Sequence, residues 1–206
     1  FGWNCFTHKT ITKRALKEIP SLKKYKNILN KYCQAPDFDD TRFIGDNHCF
    51  YKSAVSDYKN GKISAKTFYT EYIIKARTAS LEGDKKTTAK YLGRALHFLQ
   101  DMANPMHTNP KPQEPLARKI DHRTHFKFES ITFLKQRLYT KNYQQKEPAF
   151  FKSLKKLFMG NVEFSTSGEQ VSKENNASWN KLAQAGMNQA ITSTKLFLQE
   201  MEHLLK

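Results

Sequence analysis

The chain has 206 residues, enough for one domain with a sizeable core or at most two small ones. Its 35 Lys and Arg against 19 Asp and Glu leave a formal charge of +16, which favours a polyanionic partner, nucleic acid or an anionic lipid surface, without choosing between them. No apolar run is long enough for a transmembrane helix, and three cysteines, Cys5, Cys33 and Cys49, are too few for a disulfide scaffold, although an exported protein could bridge one pair.

In chain order, the first residue is Phe rather than Met, as after loss of a leader or trimming. Helical periodicity then runs from Thr7, a plausible N-cap, to Ile19, with Pro20 as the stop and His8 in the first turn close to Trp3. A second helix is expected from Ser21 to about Tyr32, with Leu22, Tyr25, Ile28 and Leu29 inward. Ala35-Pro36-Asp37-Phe38-Asp39-Asp40 and Gly45-Asp46-Asn47-His48-Cys49-Phe50-Tyr51 lack a period and are rich in turn residues, so they read as loops over helix ends. Further helices are expected from Ser64 to Leu81 (Phe68, Tyr72, Ile73, Ala76 and Leu81 inward), from about Lys86, from Thr124 to Leu138, from Pro148 to Met159 and from Ser178 to Leu205. The polar stretch from Gly160 to Asn176 reads as a loop, and Asn176-Ala177-Ser178 is a formal glycosylation triplet of little weight. With no strand pairs, phosphate loop or repeat, the fold class is all-α: one multi-helix domain over residues 1–206 around a buried central helix.

That central helix carries the chemistry. In Tyr91-Leu92-Gly93-Arg94-Ala95-Leu96-His97-Phe98-Leu99-Gln100-Asp101, His97 and Asp101 stand one turn apart on an otherwise apolar helix, so a buried His and Asp need a compensating partner. Asn104-Pro105 breaks the helix and delivers His107 from the turn beyond. A lone His on an apolar face is more often a hydrogen-bonded core residue. Here, however, His125 and Glu129 repeat the i,i+4 pair, and His107 lies between the two pairs. Imidazole and carboxylate in this density point to a metal site.

Trp3, His8, Ala35-Pro36-Asp37, Asn47-His48-Cys49-Phe50-Tyr51, the His97 to Asp101 helix, Asn104-Pro105-Met106-His107 and His125-Phe126-Lys127-Phe128-Glu129 together resemble the ordered signature of the bacterial zinc-dependent phospholipases C, the family that includes alpha-toxin. The resemblance covers residues 3 to 129 and implies a secreted or periplasmic, monomeric enzyme with three zinc ions in an all-helical domain. By that resemblance His48, His97 and Asp101 hold the first zinc and His107, His125 and Glu129 the second. Asp101 bridges to a third, which takes His8 and the amino and carbonyl groups of Trp3. Asp37 matches the general base that activates water against a phospholipid, releasing diacylglycerol and a phosphorylated headgroup. Phe38 keeps an aromatic next to the base, whereas Gly45 stands where the family's choline cage has an aromatic. His122 and His203 match no position.

The related zinc nucleases that cut single-stranded nucleic acid share the Trp and His spacing and the His-x3-Asp helix, and the charge would suit them. They end the signature with Asp where this chain has Glu129. A basic, zinc-stabilised membrane-binding module without activity is a third reading, which an intact Asp37 beside an open site argues against. No C-terminal β-sandwich of the kind alpha-toxin uses on membranes is expected, and lysines and exposed aromatics of the helical domain are expected to make any interfacial contact. Because Phe1-Gly2 precede Trp3, and a peptide nitrogen is a poor zinc ligand, the mature chain is expected to begin at Trp3.

Overall fold

Asn4 starts the first helix, its side chain accepting from the Phe6 amide and so satisfying one of the donors a helix start leaves orphaned; α1 then spans Cys5–Leu16. Thr7, expected as the cap, lies instead inside the first turn and is buried. The computed structural model describes residues 3–39, 48–108, 115–144, 153–167 and 176–206, and of residues 53, 115–124, 167 and 176–178 the backbone alone.

The continuous second helix expected from Ser21 is broken in two. A 3-10 segment, Pro20–Tyr25, precedes α2 (Lys26–Tyr32), because Tyr25 at φ −98° and ψ 0° sits between helical and extended geometry. Leu22, Tyr25 and Leu29 are buried as expected. Ala35–Asp37 is a 3-10 turn rather than a loop. After a 3-10 turn at Lys52–Ala54 come α3 (Val55–Lys59) and α4 (Ala65–Leu81), the latter opened by a reciprocal capping box between Ser64 and Thr67. Gly83 at φ +78° supplies the left-handed residue that ends α4. Leu81, expected inward, is 90% exposed, although Ala79, two residues before it, is buried and Ser80 still bonds the Leu204 carbonyl.

The central helix, α5 (Lys85–Asp101), is capped by Asp84, which accepts from the Thr87 amide and hydroxyl. Leu92, Ala95, Leu96, Phe98 and Leu99 are wholly buried among residues of α2, α4 and the last helix, so the apolar circumference read from the sequence is the centre of the main core. Gly93 is required by close packing: a Cβ there would lie 2.9 Å from the Tyr32 Cβ and 3.2 Å from the Leu29 carbonyl.

Beyond a 3-10 turn at Pro105–His107, α6 (Pro115–Lys141) starts earlier and ends later than expected. Next, α7 (Leu154–Ser167) overturns the expected loop from Gly160; residues 168–175 of that loop lie outside the described residues. The polar residues that made it read as loop face inward. Asn161 donates to the Leu99 carbonyl at 2.9 Å and Ser165 to the Met102 carbonyl at 2.7 Å, and the Trp3 indole donates to the Gln100 carbonyl at 2.8 Å. The end of α5 therefore has its free carbonyls satisfied by side chains from α7 and the N-terminal segment. Last, α8 (Asn176–Met201) and a 3-10 turn, Glu202–Leu205, close the chain.

Trp3, Ile11, Phe128, Trp179, Met187 and Ile191 form a second core between α1, α6 and α8. The described residues contain no strand, and no helix among them is long and apolar enough to cross a membrane. No disulfide joins Cys5, Cys33 and Cys49, so the pairing considered from the sequence is not made.

Candidate metal centre

The site is built on the last turn of α5. His97 donates from Nδ1 to the carbonyl of Cys33 at 2.8 Å; a carbonyl only accepts, so the proton is fixed on Nδ1 and Nε2 keeps its lone pair. Asn104 caps the next turn by accepting from the Met106 amide, and Pro105 turns the chain so that His107 arrives buried beside the helix end. His107 Nδ1 donates to the His48 carbonyl, while the Phe50 amide donates to the His107 carbonyl at 3.0 Å. This pair of bonds carries the His48 segment, remote in sequence, to the same end of α5.

Three sets of ligand-type atoms result: His8, His97 and Asp101; Asp37, His48 and His97; and His107, His125 and Glu129. Within each set the atoms lie within 4.8 Å of one another. His8 Nε2 is 3.1 Å from Asp101 Oδ1; His48 Nδ1 is 2.9 Å and His97 Nε2 3.2 Å from Asp101 Oδ2. Asp37 Oδ1 stands 3.5 Å from His97 Nε2 and 4.0 Å from His48 Nδ1. In the third set His107 Nε2 is 3.2 Å from His125 Nε2, which is 2.5 Å from Glu129 Oε1. His97 and Asp101 thus join two sets, and the third adjoins them through His107.

The donor set fits a cation. His8 Nε2, His48 Nε2, Asp37 Oδ1 and Asp101 Oδ1 are buried and make no hydrogen bond, although His8 Nε2 and Asp101 Oδ1 face each other. Lone pairs aimed at one another without a shared proton are what burial tolerates only around a positive charge. Protonation follows the same logic. Burial lowers His97, with the neighbouring His8 adding to it, and burial holds His107 well below the ordinary imidazole value. Burial would lift Asp101, but His97, His8 and His107 around it outweigh that and hold it well below the usual carboxylate range. His8 is raised, the pull of Asp101 overcoming burial. Glu129 is pushed up to about 9 by burial, a cost that a divalent ion beside it would remove.

Every ligand-type side chain named from the sequence is in this cluster, and Asp37 lies beside His48 and His97. Trp3 is buried nearby, held through its indole. Phe38 is 65% exposed, Gly45 lies outside the described residues, and so does the side chain of His122; His203 is exposed and bonds the Glu200 carbonyl. Asp39 is ion-paired with Arg94. The residue that sequence reasoning missed is Gln100. Fully buried, it accepts from His8 Nδ1 at 2.8 Å, donates to Thr12 and Thr194 at 2.9 and 3.1 Å, and offers its carbonyl to Trp3. A glutamine in a helix carries no signal of such a role; only its place before Asp101 hinted at it.

Among solved structures, the chain is similar to alpha-toxin from Clostridium absonum (TM-score 0.72, 14% identity, 99% of this chain covered) and to alpha-toxin from an avian strain of Clostridium perfringens (TM-score 0.69, 16% identity, 100% covered). It spans 64% of the length of each of those chains. At such identities the likeness establishes the fold. No curated protein matches the sequence. Residues 7–181 match the family described as zinc dependent phospholipase C, a stretch that contains every candidate ligand side chain from His8 to Glu129, and the chain therefore belongs to the zinc-dependent phospholipase C family.

Proposed function

We propose that this chain hydrolyses the phosphodiester of phospholipids, releasing diacylglycerol and a phosphorylated headgroup, as a monomeric catalytic unit that is exported. The observation that carries the reading is the three adjoining His and carboxylate sets in a chain of this family. Three zinc ions are proposed. His48, His97 and Asp101 would hold one, with Asp37 beside it, and His107, His125 and Glu129 a second. His8 and Asp101 would hold a third, with the amino and carbonyl groups of Trp3 in a form of the protein that begins at Trp3. Zinc, when bound, supplies positive charge against the phosphate and lowers the pKa of a water from roughly 15.7 to about 7.

The chain's own groups do the rest. Asp37, 9% exposed at the rim of the cluster, orients the attacking water and takes its proton. The carbonyl of Cys33 and the amide of Gln100 fix the tautomers of His97 and His8, so that each keeps a lone pair toward the carboxylates. The test is a parallel assay of the zinc-loaded protein on mixed phospholipid vesicles and on single-stranded DNA, with diacylglycerol and nucleotides measured together. Diacylglycerol release is expected; nucleotide release without it would transfer the site to nuclease chemistry.

A further inference from the structure

Outside the metal centre, a cavity of about 390 Å³ opens between α1 and α2, lined by Lys9, Lys13, Lys26 and Lys31 with Asn27, Asn30 and Gln34. Among the described residues no carboxylate lines it, and four ammonium groups share the one concavity. Asn30 is only 4% exposed, yet its Oδ1 has no hydrogen-bond partner. An amide offers its NH2 as readily as its oxygen after a half-turn of the side chain. Turned that way, the Asn30 amide would donate to an oxygen-rich anion, and the four lysines are what attract one.

The surroundings choose among anions. Phe6, 55% exposed, lies on α1 three and seven residues before Lys9 and Lys13, on the same helix face. Phe38, 65% exposed, follows the Ala35–Asp37 turn that continues directly from Gln34. Exposed aromatics beside lysines are the composition of an interfacial surface, in which rings enter the headgroup layer while ammonium groups meet lipid phosphate.

We propose that this cavity binds the phosphate of an anionic lipid headgroup and docks the domain on an anionic bilayer, with the Asp37 end of the metal centre beside the membrane. The choice of bilayer over nucleic acid rests on the phospholipid reading; the cavity itself does not.

The experiment measures flotation of the zinc-loaded full chain with vesicles of phosphatidylcholine containing phosphatidylglycerol, alongside turnover of a short-chain phosphatidylcholine below its micelle concentration. Lys13→Gln with Lys31→Gln is compared with Lys155→Gln and Lys156→Gln, two exposed lysines of α7 that remove the same charge elsewhere. The cavity pair should weaken vesicle binding about tenfold or more, the α7 pair far less, and neither should change short-chain turnover. Asn30→Asp, nearly isosteric, should also weaken binding by placing a carboxylate against the phosphate. Equal losses in the two pairs would mean diffuse charge and overturn the proposal, as would unchanged binding in the cavity pair or a loss confined to single-stranded DNA. Should short-chain turnover be absent while the cavity pair loses vesicle binding, the docking site stands and the phospholipase reading fails.

Discussion

His97 Nδ1 donates to the main-chain carbonyl of Cys33 at 2.8 Å, so a residue at the end of α2 decides which nitrogen of the α5 histidine faces the carboxylates. Fold and site are therefore one structure. Removing the ions should unfold what it inactivates, because Asp101 and His97 are fully buried around mutual lone pairs. Chelation should lower the melting temperature and abolish turnover together; ion binding at a thousand times its dissociation constant contributes about 4 kcal/mol. A melting curve unmoved after metal loss, verified by elemental analysis, would contradict this, and His97→Ala should reproduce the chelated state.

Asp37→Asn should keep the fold and the zinc held by His48, His97 and Asp101 while turnover falls by about 10²- to 10⁴-fold, the usual range for losing a general base. Kinetics and zinc stoichiometry on the same preparation check both halves. Near-normal turnover would remove Asp37 from proton transfer, and Asp39, engaged by Arg94, is poorly placed to replace it.

Gly93→Ala should destabilise although alanine is the better helix former. The new Cβ would meet Tyr32 Cβ at 2.9 Å, pushing α2 from α5 and the Cys33 carbonyl from His97. Overpacking of about 1–3 kcal/mol exceeds the helix-propensity gain of up to about 1 kcal/mol. A melting temperature lower by a few degrees and weaker zinc binding are expected; a rise in melting temperature would contradict the packing argument.

Burial pushes the Cys33 thiol up to about 12 from its ordinary 9.0. Because its folded pKa lies above the unfolded one, its contribution to stability is complete below pH 9 and is lost as pH rises from 9 toward 12. Denaturant midpoints should fall across that window and less so in Cys33→Ala. In native protein at pH 8, Cys33 should escape alkylation that labels it after unfolding, as peptide mass spectrometry would reveal.

Protein beginning at Trp3 should hold three zincs, whereas protein retaining Phe1 and Gly2 should hold two firmly and the third weakly, since only a free amine is a good ligand there. Zinc titration of the two forms decides it. Three tight zincs in the longer form would remove the Trp3 amine from the ligands.

Local periodicity alone revealed the helical pairs His97 with Asp101 and His125 with Glu129, the break at Pro105 that frees His107, and the all-α class, because ligands one turn apart on a helix are fixed by backbone geometry. The resemblance to a family added His8, Asp37 and His48, which no spacing could join to that helix. Only the tertiary structure brings Asp37 between His48 and His97, hangs the His48 segment on His107 by one side-chain and one backbone hydrogen bond, and sets Gln100 between His8 and Trp3. It also made α7 a helix where polarity read as loop, since Asn161 and Ser165 face inward to bond the end of α5. A polar side chain looks the same in sequence whether it meets water or a buried carbonyl, and which it meets depends on the elements packed against it.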